Sequence, residues 1–393
     1  MKKVTSRVAT AIMLVLFLIL SGCSASSSKQ GTSEKEKPKS YVVGMILPQT
    51  GNSAAYGLDQ ITAVQMAIDD VNKSGGVNGV PLEFKVEDSQ GDPQRAITAY
   101  NKLAKVDKVP FIISGFSSVV KALAPLSDRD KVAILAIGVN DVTIRGAAKH
   151  TISSYPYSDI DLPALAKYTI ETLGKKKAAV IYINNPSGKP GAEVYRDKFK
   201  EYGGEVVAFE SHEPNALDFK SQLTKIKAAN PDVIHIESLV KETPYIVKQI
   251  RELGISAQIT SYSAAENQVL IDTAGKASEG LIYTSLAPDL TSGKASEFIN
   301  RFKQSVGREP NGISYTLYMY DSVTVIKKAI EYIVNHNMEY NGTNMVTAIQ
   351  EVGTFDTPIT GNTIIKKDGN VIKPIRIRQI TNGKFVNLTT INP

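Results

Sequence analysis

The chain has 393 residues, 42% of them hydrophobic, and a formal net charge of +6 from 45 basic and 39 acidic side chains. That length suggests two domains or more, at ~100–200 residues per domain, and the apolar content excludes global disorder. Residues 1–40 carry +5 of the charge and residues 41–393 only +1, so no basic face for nucleic acid is expected on the body. The densest cationic run, Lys175-Lys176-Lys177, follows Gly174 where a helix should end, and reads as a solvated cap.

At the N-terminus, Met1-Lys2-Lys3 is positive, and residues 8–20 form an uncharged, mostly apolar run of 13 residues. A spanning helix needs ~20, so this run fits the core of a secretory signal. The next residues, Leu20-Ser21-Gly22-Cys23, resemble the lipobox of bacterial lipoproteins. The resemblance implies cleavage before Cys23 and lipidation of its thiol. Cys23 is the only cysteine, which excludes an internal disulfide framework and a Cys-based zinc site. Residues 24–40 are rich in Ser, Lys, Gly, Glu and Gln and read as a tether with a reach of roughly 20–25 Å. The expected arrangement is a signal over 1–22, a lipidated Cys23 with its tether over 23–40, and a body held outside the cytoplasm at a membrane surface.

From residue 41 the chain alternates strand and helix patterns. Residues 41–47 read as a buried strand, and 58–71 place Leu58, Ile61, Val64, Ile68 and Val71 at helical spacing. Leu82, Phe84 and Val86 alternate with charged residues, as in a half-buried strand. Asp92-Pro93 reads as an N-cap and first helical position. Strands at 111–114 and 132–137 follow, with a short helix between them. The pattern restarts near 160: helices at about 160–173, 191–202, 216–229 and 242–253 alternate with strands at 178–183, 205–209, 232–237 and 257–261. Such repetition argues for parallel sheets covered on both faces, in two doubly wound lobes. The tail differs, with strands at 362–365, 371–380 and 384–388 around Asp368-Gly369 and Asn382-Gly383 turns.

Enzyme signatures are missing. His150, His212, His235 and His336 lack metal-ligand spacing, and His235 reads as a satisfied residue of a strand. Gly75-Gly76-Val77-Asn78-Gly79 follows a helix rather than opening one, the wrong order for dinucleotide binding. No nucleophile elbow is present. No cofactor and no catalytic group is expected.

Several segments carry a resemblance: Gly44-Met45-Ile46-Leu47-Pro48-Gln49-Thr50-Gly51 with Ala55-Tyr56-Gly57; Ala67-Ile68-Asp69-Asp70-Val71-Asn72; Glu87-Asp88-Ser89-Gln90-Gly91-Asp92-Pro93; Asp218-Phe219-Lys220-Ser221-Gln222-Leu223; and Ala277-Ser278-Glu279-Gly280. Together they resemble the branched-chain amino acid-binding type of solute-binding protein that serves ABC transporters, over nearly all of 41–390. The resemblance implies two Rossmann-like α/β lobes joined by three crossing segments, the type I periplasmic binding protein fold. One lobe would be 41–157 plus 287–355, the other 158–286 plus 356–393, with the ligand between them.

By the same resemblance, Phe116, Ser117 and Ser118 would grip a ligand carboxylate after the third strand, and Tyr56 would stand at the cleft rim. Gly138, Val139 and Asn140 occupy the loop after the next strand, with Asn140 where the family has a Thr. In the second lobe, Ser187 and Ser238 stand where the family has aromatics, and Ser263, beside Tyr262, where it has the acid that pairs with a ligand ammonium. Burying an unpaired ammonium costs several kcal/mol. Either Glu237 or Glu266 therefore takes that role or the ligand lacks the ammonium. The expected function is a monomeric receptor that hands an amino acid, amide or small carboxylate to an ABC permease. A ligand sensor for a signalling partner and an extracytoplasmic hydrolase are the alternatives.

Overall fold

The computed structural model describes residues 37–392; the signal segment, Cys23 and most of the tether lie outside the described residues. The first lobe opens with β1 (Tyr41–Leu47), α1 (Ala54–Lys73), β2 (Leu82–Asp88) and α2 (Pro93–Asn101). It continues with β3 (Phe111–Gly115), α3 (Ser117–Asp130), β4 (Ala133–Ile137) and β5 (Thr151–Ser153). These strands form one parallel sheet in the order β2-β1-β3-β4-β5. Its central strands are apolar at successive positions because both faces are covered. Met45, Ile113 and Leu135 point into one core and Ile46, Ile112 and Ile134 into the other. The α2 start is the one the sequence indicates: Asp92 accepts from the Arg95 amide at 2.9 Å, and Pro93 is the first helical residue.

The second lobe runs α4 (Ser158–Glu171), β6 (Lys177–Ile183), α5 (Lys189–Glu201), β7 (Glu205–His212), α6 (Lys220–Ala228) and β8 (Val233–Glu237). Then come α7 (Thr243–Glu252), β9 (Gln258–Ser261), α8 (Gln268–Ala274) and β10 (Ile282–Ser285). The chain next returns to the first lobe with three helices absent from the expected elements: α9 (Gly293–Val306), α10 (Ile313–Asn335) and α11 (Gly342–Val352). Leu317, Met319, Ile326 and Ile330 of α10 lie in the same core as Met45 and Ile113.

A small antiparallel sheet follows, made of β11 (Thr354–Thr357), β12 (Gly361–Ile365) and β13 (Val371–Ile372). The lobe boundary expected at 356 therefore moves. Phe355, Ile359 and Ile365 join the first core, and Asp321 of α10 accepts from the Ile359 and Thr360 amides at 3.1 and 2.6 Å. Only after β13 does the chain cross back, as β14 (Ile375–Thr381) and β15 (Lys384–Ile391). These add antiparallel to a seven-stranded sheet ordered β15-β14-β10-β9-β8-β6-β7. The chain thus passes between lobes after β5, β10 and β13, giving the expected two doubly wound lobes and three crossing segments.

The crossing region is held by charge. Glu266 is fully buried, ion-paired to Arg378 of β14, and accepts from Ser285 and Ser314, each at 2.7 Å. Arg376 donates to the Ala287 carbonyl at 2.9 Å. One carboxylate therefore ties β10, β14 and the start of α10 together.

Candidate functional site

Each sheet has one place where the strand order reverses: between β1 and β3 in the first lobe, and between β6 and β8 in the second. At such a point the loops leaving the strand C-terminal ends diverge and leave a crevice for a ligand. In this protein both crevices open into one cavity of about 290 Å³. Its wall comes from the loops after β1, β3 and β4 and the start of α10 on one side, and from the loops after β6, β7, β8 and β9 on the other.

Tyr56 reaches the wall because α1 approaches β1 very closely. A Cβ on Gly57 would lie 1.8 Å from the Pro48 carbonyl oxygen, so only glycine permits this contact. Tyr315 of α10 lies against Gly138, where φ is +68° and a Cβ would come within 2.8 Å of the tyrosine ring. The loop bearing Asn311 is anchored by Asp59, which pairs with Arg308 at 2.8 Å and accepts from the Asn311 amide at 2.7 Å.

Phe116, between β3 and α3, has φ +67° and ψ 120°, a backbone state that costs a non-glycine residue about 1–3 kcal/mol. It turns the chain so that α3 starts at the cavity. Ser117 does not cap α3 with its side chain. Its Oγ accepts from the Asn140 and Asp141 amides at 3.0 and 3.3 Å, joining the loops after β3 and β4. The hydroxyl proton and the first-turn amides of α3, which have no acceptor one turn back, suit an anionic group.

On the opposite wall stand Ser187, Asn215, Lys241, Glu242 and Tyr262. Tyr262 donates to the Ser238 carbonyl at 3.0 Å. Glu242 immediately precedes α7; its Oε1 accepts from the Asn215 amide at 2.8 Å, while Oε2 has no partner. Lys241 donates to Asn215 Oδ1 at 3.1 Å. The lobes touch here, as Asn52 Nδ2 donates to the same Asn215 oxygen at 2.8 Å.

Seven residues singled out from the sequence share this cavity: Tyr56, Phe116, Ser117, Gly138, Asn140, Ser187 and Tyr262. Four stand outside its wall. Ser118 is one helical step, about 100°, beyond Ser117, so the two cannot face the same way. Val139 is fully buried among Val120, Ala136 and Ile144. Ser238 is fully buried and bonded to His212 Nε2 at 2.9 Å. Ser263 lies behind the wall, its Oγ 3.1 Å from both the Tyr155 and Tyr315 hydroxyls.

The two acids nominated to replace the family's carboxylate are also elsewhere. Glu266 is spent on Arg378. Glu237 is fully buried, 3.1 Å from His235 Nε2, beneath Gly191, where a Cβ would lie 2.4 Å from its Oε1. Burial, with Asp161 nearby, holds the Glu237 carboxyl well above the usual range, and burial pushes Asp161 up to about 7 and His235 down to about 3. His235 stacks on Tyr195 at 3.8 Å and forms the satisfied strand residue expected of it. The acid that does line the cavity, Glu242, was passed over. A signal for it existed: Lys241-Glu242-Thr243-Pro244 follows a buried strand and leads into a proline-started helix, the position where such sheets face their ligands. Among the described residues no histidine lines the cavity, so the serines there have no imidazole base.

The sequence pattern of the periplasmic binding protein family matches residues 40–384. The chain belongs to that family. It is a binding protein and not an enzyme, of the type that includes the Leu/Ile/Val-binding proteins. Leu/Ile/Val-binding protein homolog 1 of Brucella suis biovar 1 (strain 1330) is 26% identical over 318 residues, spanning 80% of this chain and 84% of that one. The crystal structure of a leucine binding protein, LivK, from Thermotoga maritima MSB8 superposes with a TM-score of 0.80 at 24% identity, covering 90% of this chain and 99% of the other. A solute binding protein of an R. palustris ABC transporter, in complex with benzoate, gives 0.79 at 18% identity over 90% and 97%. At these identities the two structures establish the fold alone.

Proposed function

We propose that this protein is a lipid-anchored receptor, held outside the cytoplasm through Cys23, that captures a small polar solute between its lobes and delivers it to an ABC importer. The observation that carries the reading is the convergence of both strand-order reversals on one cavity. A volume of about 290 Å³ suits a solute of amino acid or benzoate size. The relatives that bind leucine or benzoate fit that range, and the transport role follows from the family. Closing the lobes on a solute shifts an open–closed equilibrium that a permease can read. Tyr56, Phe116, Ser117, Gly138, Asn140, Ser187 and Tyr262 form the binding wall; Ser118, Val139, Ser238 and Ser263 support it from behind.

A thermal-shift screen of amino acids, amides, ureas and aromatic acids on the purified full chain tests the reading. A specific solute at 100 times its Kd adds ~2.7 kcal/mol of stability. A screen in which no solute raises Tm removes the receptor role. For the anchor, Cys23→Ser should move the protein from the membrane fraction to the soluble one and abolish incorporation of a labelled fatty acid. Unchanged fractionation would exclude the anchor.

A further inference from the structure

A second cavity, of about 360 Å³, shares no lining residue with the solute site. It is enclosed by the loop between β4 and β5, by β5 itself with Tyr157 just beyond it, by α11, and by the turn between β12 and β13. β5 is the last strand of its sheet and pairs only with β4. All three of its residues line the cavity. Successive strand residues turn their side chains to opposite faces, so a space that touches all three runs along the open edge of the strand. The His150 carbonyl accepts from the Ile134 amide at 2.7 Å and the Ser154 amide donates to the Ala136 carbonyl at 3.2 Å. The even-numbered backbone groups therefore face β4, and those of Thr151 and Ser153 face outward along that edge.

The wall is cationic: Arg145, Lys149, Lys366 and Lys367 stand in it against one acid, Asp368. Arg145 is held in place, its side chain 18% exposed. It is ion-paired to Asp159, donates to Asn370 Oδ1 and lies 5.3 Å from the centre of the Tyr157 ring. Those two bonds use only part of its five-donor fork. Gly369 packs on its stem at φ +84°, where a Cβ would come within 2.9 Å of Arg145 Cγ. Lys367 pairs with Glu351 at 2.9 Å, and Asp368 accepts from the Asn370 amide and Nδ2, each at 2.9 Å. Lys149 and Lys366 are exposed and have no ion pair among the described residues. Free surface lysines are ordinary singly; here two share one concave space with a fixed guanidinium and an open strand edge.

We propose that this cavity is a second binding site, for a small soluble anion of about citrate's size that carries two or more carboxylate or phosphate groups. The Arg145 fork takes one group, Lys149 and Lys366 balance another, and the outward Ser153 amide is a further donor. A monoanion leaves part of the wall unbalanced, and a lone phosphate leaves much of the volume empty. The proposal stands apart from the receptor reading, since the two cavities have no residue in common.

The test is calorimetry on the full chain with citrate and pyrophosphate, and with acetate at matched ionic strength. At least one polyanion should bind with a Kd below about 1 mM, and acetate should not. Lys149→Ser combined with Lys366→Ser should weaken that binding roughly tenfold or more; neither side chain bonds to anything in the fold, so the variant keeps its structure. Lys176→Ser with Lys177→Ser, in the densest cationic run, and Ser117→Ala, in the solute cavity, should leave it unchanged. Binding of neither polyanion overturns the proposal. Equal binding of acetate, or equal loss in the Lys176 and Lys177 variant, shows diffuse charge attraction and overturns it too, and loss in Ser117→Ala moves the anion to the solute cavity. Phosphatidylglycerol vesicles carry the same chemistry on a surface: vesicle binding lost in the Lys149 and Lys366 variant, with no binding of the free anions, assigns the wall to a membrane and overturns the soluble ligand.

Discussion

At the scale of single residues, burial in the second lobe shifts three titratable side chains toward their uncharged forms. Glu237, His235 and Asp161 lie close together under α5, and burial favours the uncharged form of each. The unfolded Glu237 loses its proton near 4.5 while the folded one keeps it, because its folded pKa is raised. Its contribution is therefore complete below 4.5 and is lost as pH climbs toward the folded value. Glu237→Gln should match wild type near pH 4 and gain on it by about 1.4 kcal/mol per pH unit above 4.5. Urea unfolding from pH 4 to 8 measures this, and a gap independent of pH would mean that the native carboxyl is ionised. Ser117 allows a second test at this scale. Ser117→Ala should weaken a carboxylate-bearing solute, whereas Ser118→Ala, outside the wall, should leave its affinity unchanged; calorimetry with the solute found by screening separates them.

At the scale of elements, legibility followed periodicity. The β1 segment was readable to the residue because a strand buried on both faces is a short apolar run between polar flanks. The α2 start was readable from Asp92-Pro93. By contrast α9, α10 and α11 cover a stretch that yielded no assignment. The long α10 buries fourteen residues, Ser314, Thr316, Asp321 and Ser322 among them, so polar residues do not mark its solvent face and its period is masked. The resemblance puts residues 356–393 in the second lobe, whereas Phe355, Ile359 and Ile365 of the small sheet pack into the first core. A glycine gives this scale its clearest prediction. Gly57→Ala puts a methyl group into the Pro48 carbonyl, so α1 must lift from β1. The expected loss is about 1–3 kcal/mol, as for other overpacked contacts, together with displacement of Tyr56 from the wall. Chemical denaturation reads the first effect and solute affinity the second.

At the scale of the whole molecule, polar contacts join the lobes at the cavity as well as at the crossing region. Asn52 and Asn215 meet at the cavity mouth at 2.8 Å, and the Tyr155, Ser263 and Tyr315 hydroxyls form a chain across the lobes with 3.1 Å links. Asn52→Ala removes one hydrogen bond that exists only when the lobes are together. A net ~0.5–1.5 kcal/mol is enough to shift an open–closed balance several-fold. The variant should show a larger radius of gyration by small-angle scattering without solute, and convergence to the wild-type value with it. The hinge itself is costlier to disturb. Arg378→Ala strands the buried Glu266 carboxylate and should cost about 3–5 kcal/mol, visible as a fall in the urea midpoint.

The sequence by itself determined the doubly wound architecture, because parallel strands buried on both faces, helix starts and turn glycines are local patterns written residue by residue, while the family was carried by the resemblance of particular segments such as those around Gly44–Gly51 and Glu87–Pro93. The same resemblance indicated much of the cavity wall on the first-lobe side, through Tyr56, Phe116, Ser117, Gly138 and Asn140. Only the tertiary structure decided which acid faces the cavity. Glu237, Glu242 and Glu266 lie within thirty residues of one another and carry the same functional group. Burial beneath Gly191 neutralises the first, and Arg378, more than a hundred residues along the chain, occupies the third. Of these three only Glu242 lines the cavity, and that outcome depends on long-range packing rather than on local pattern.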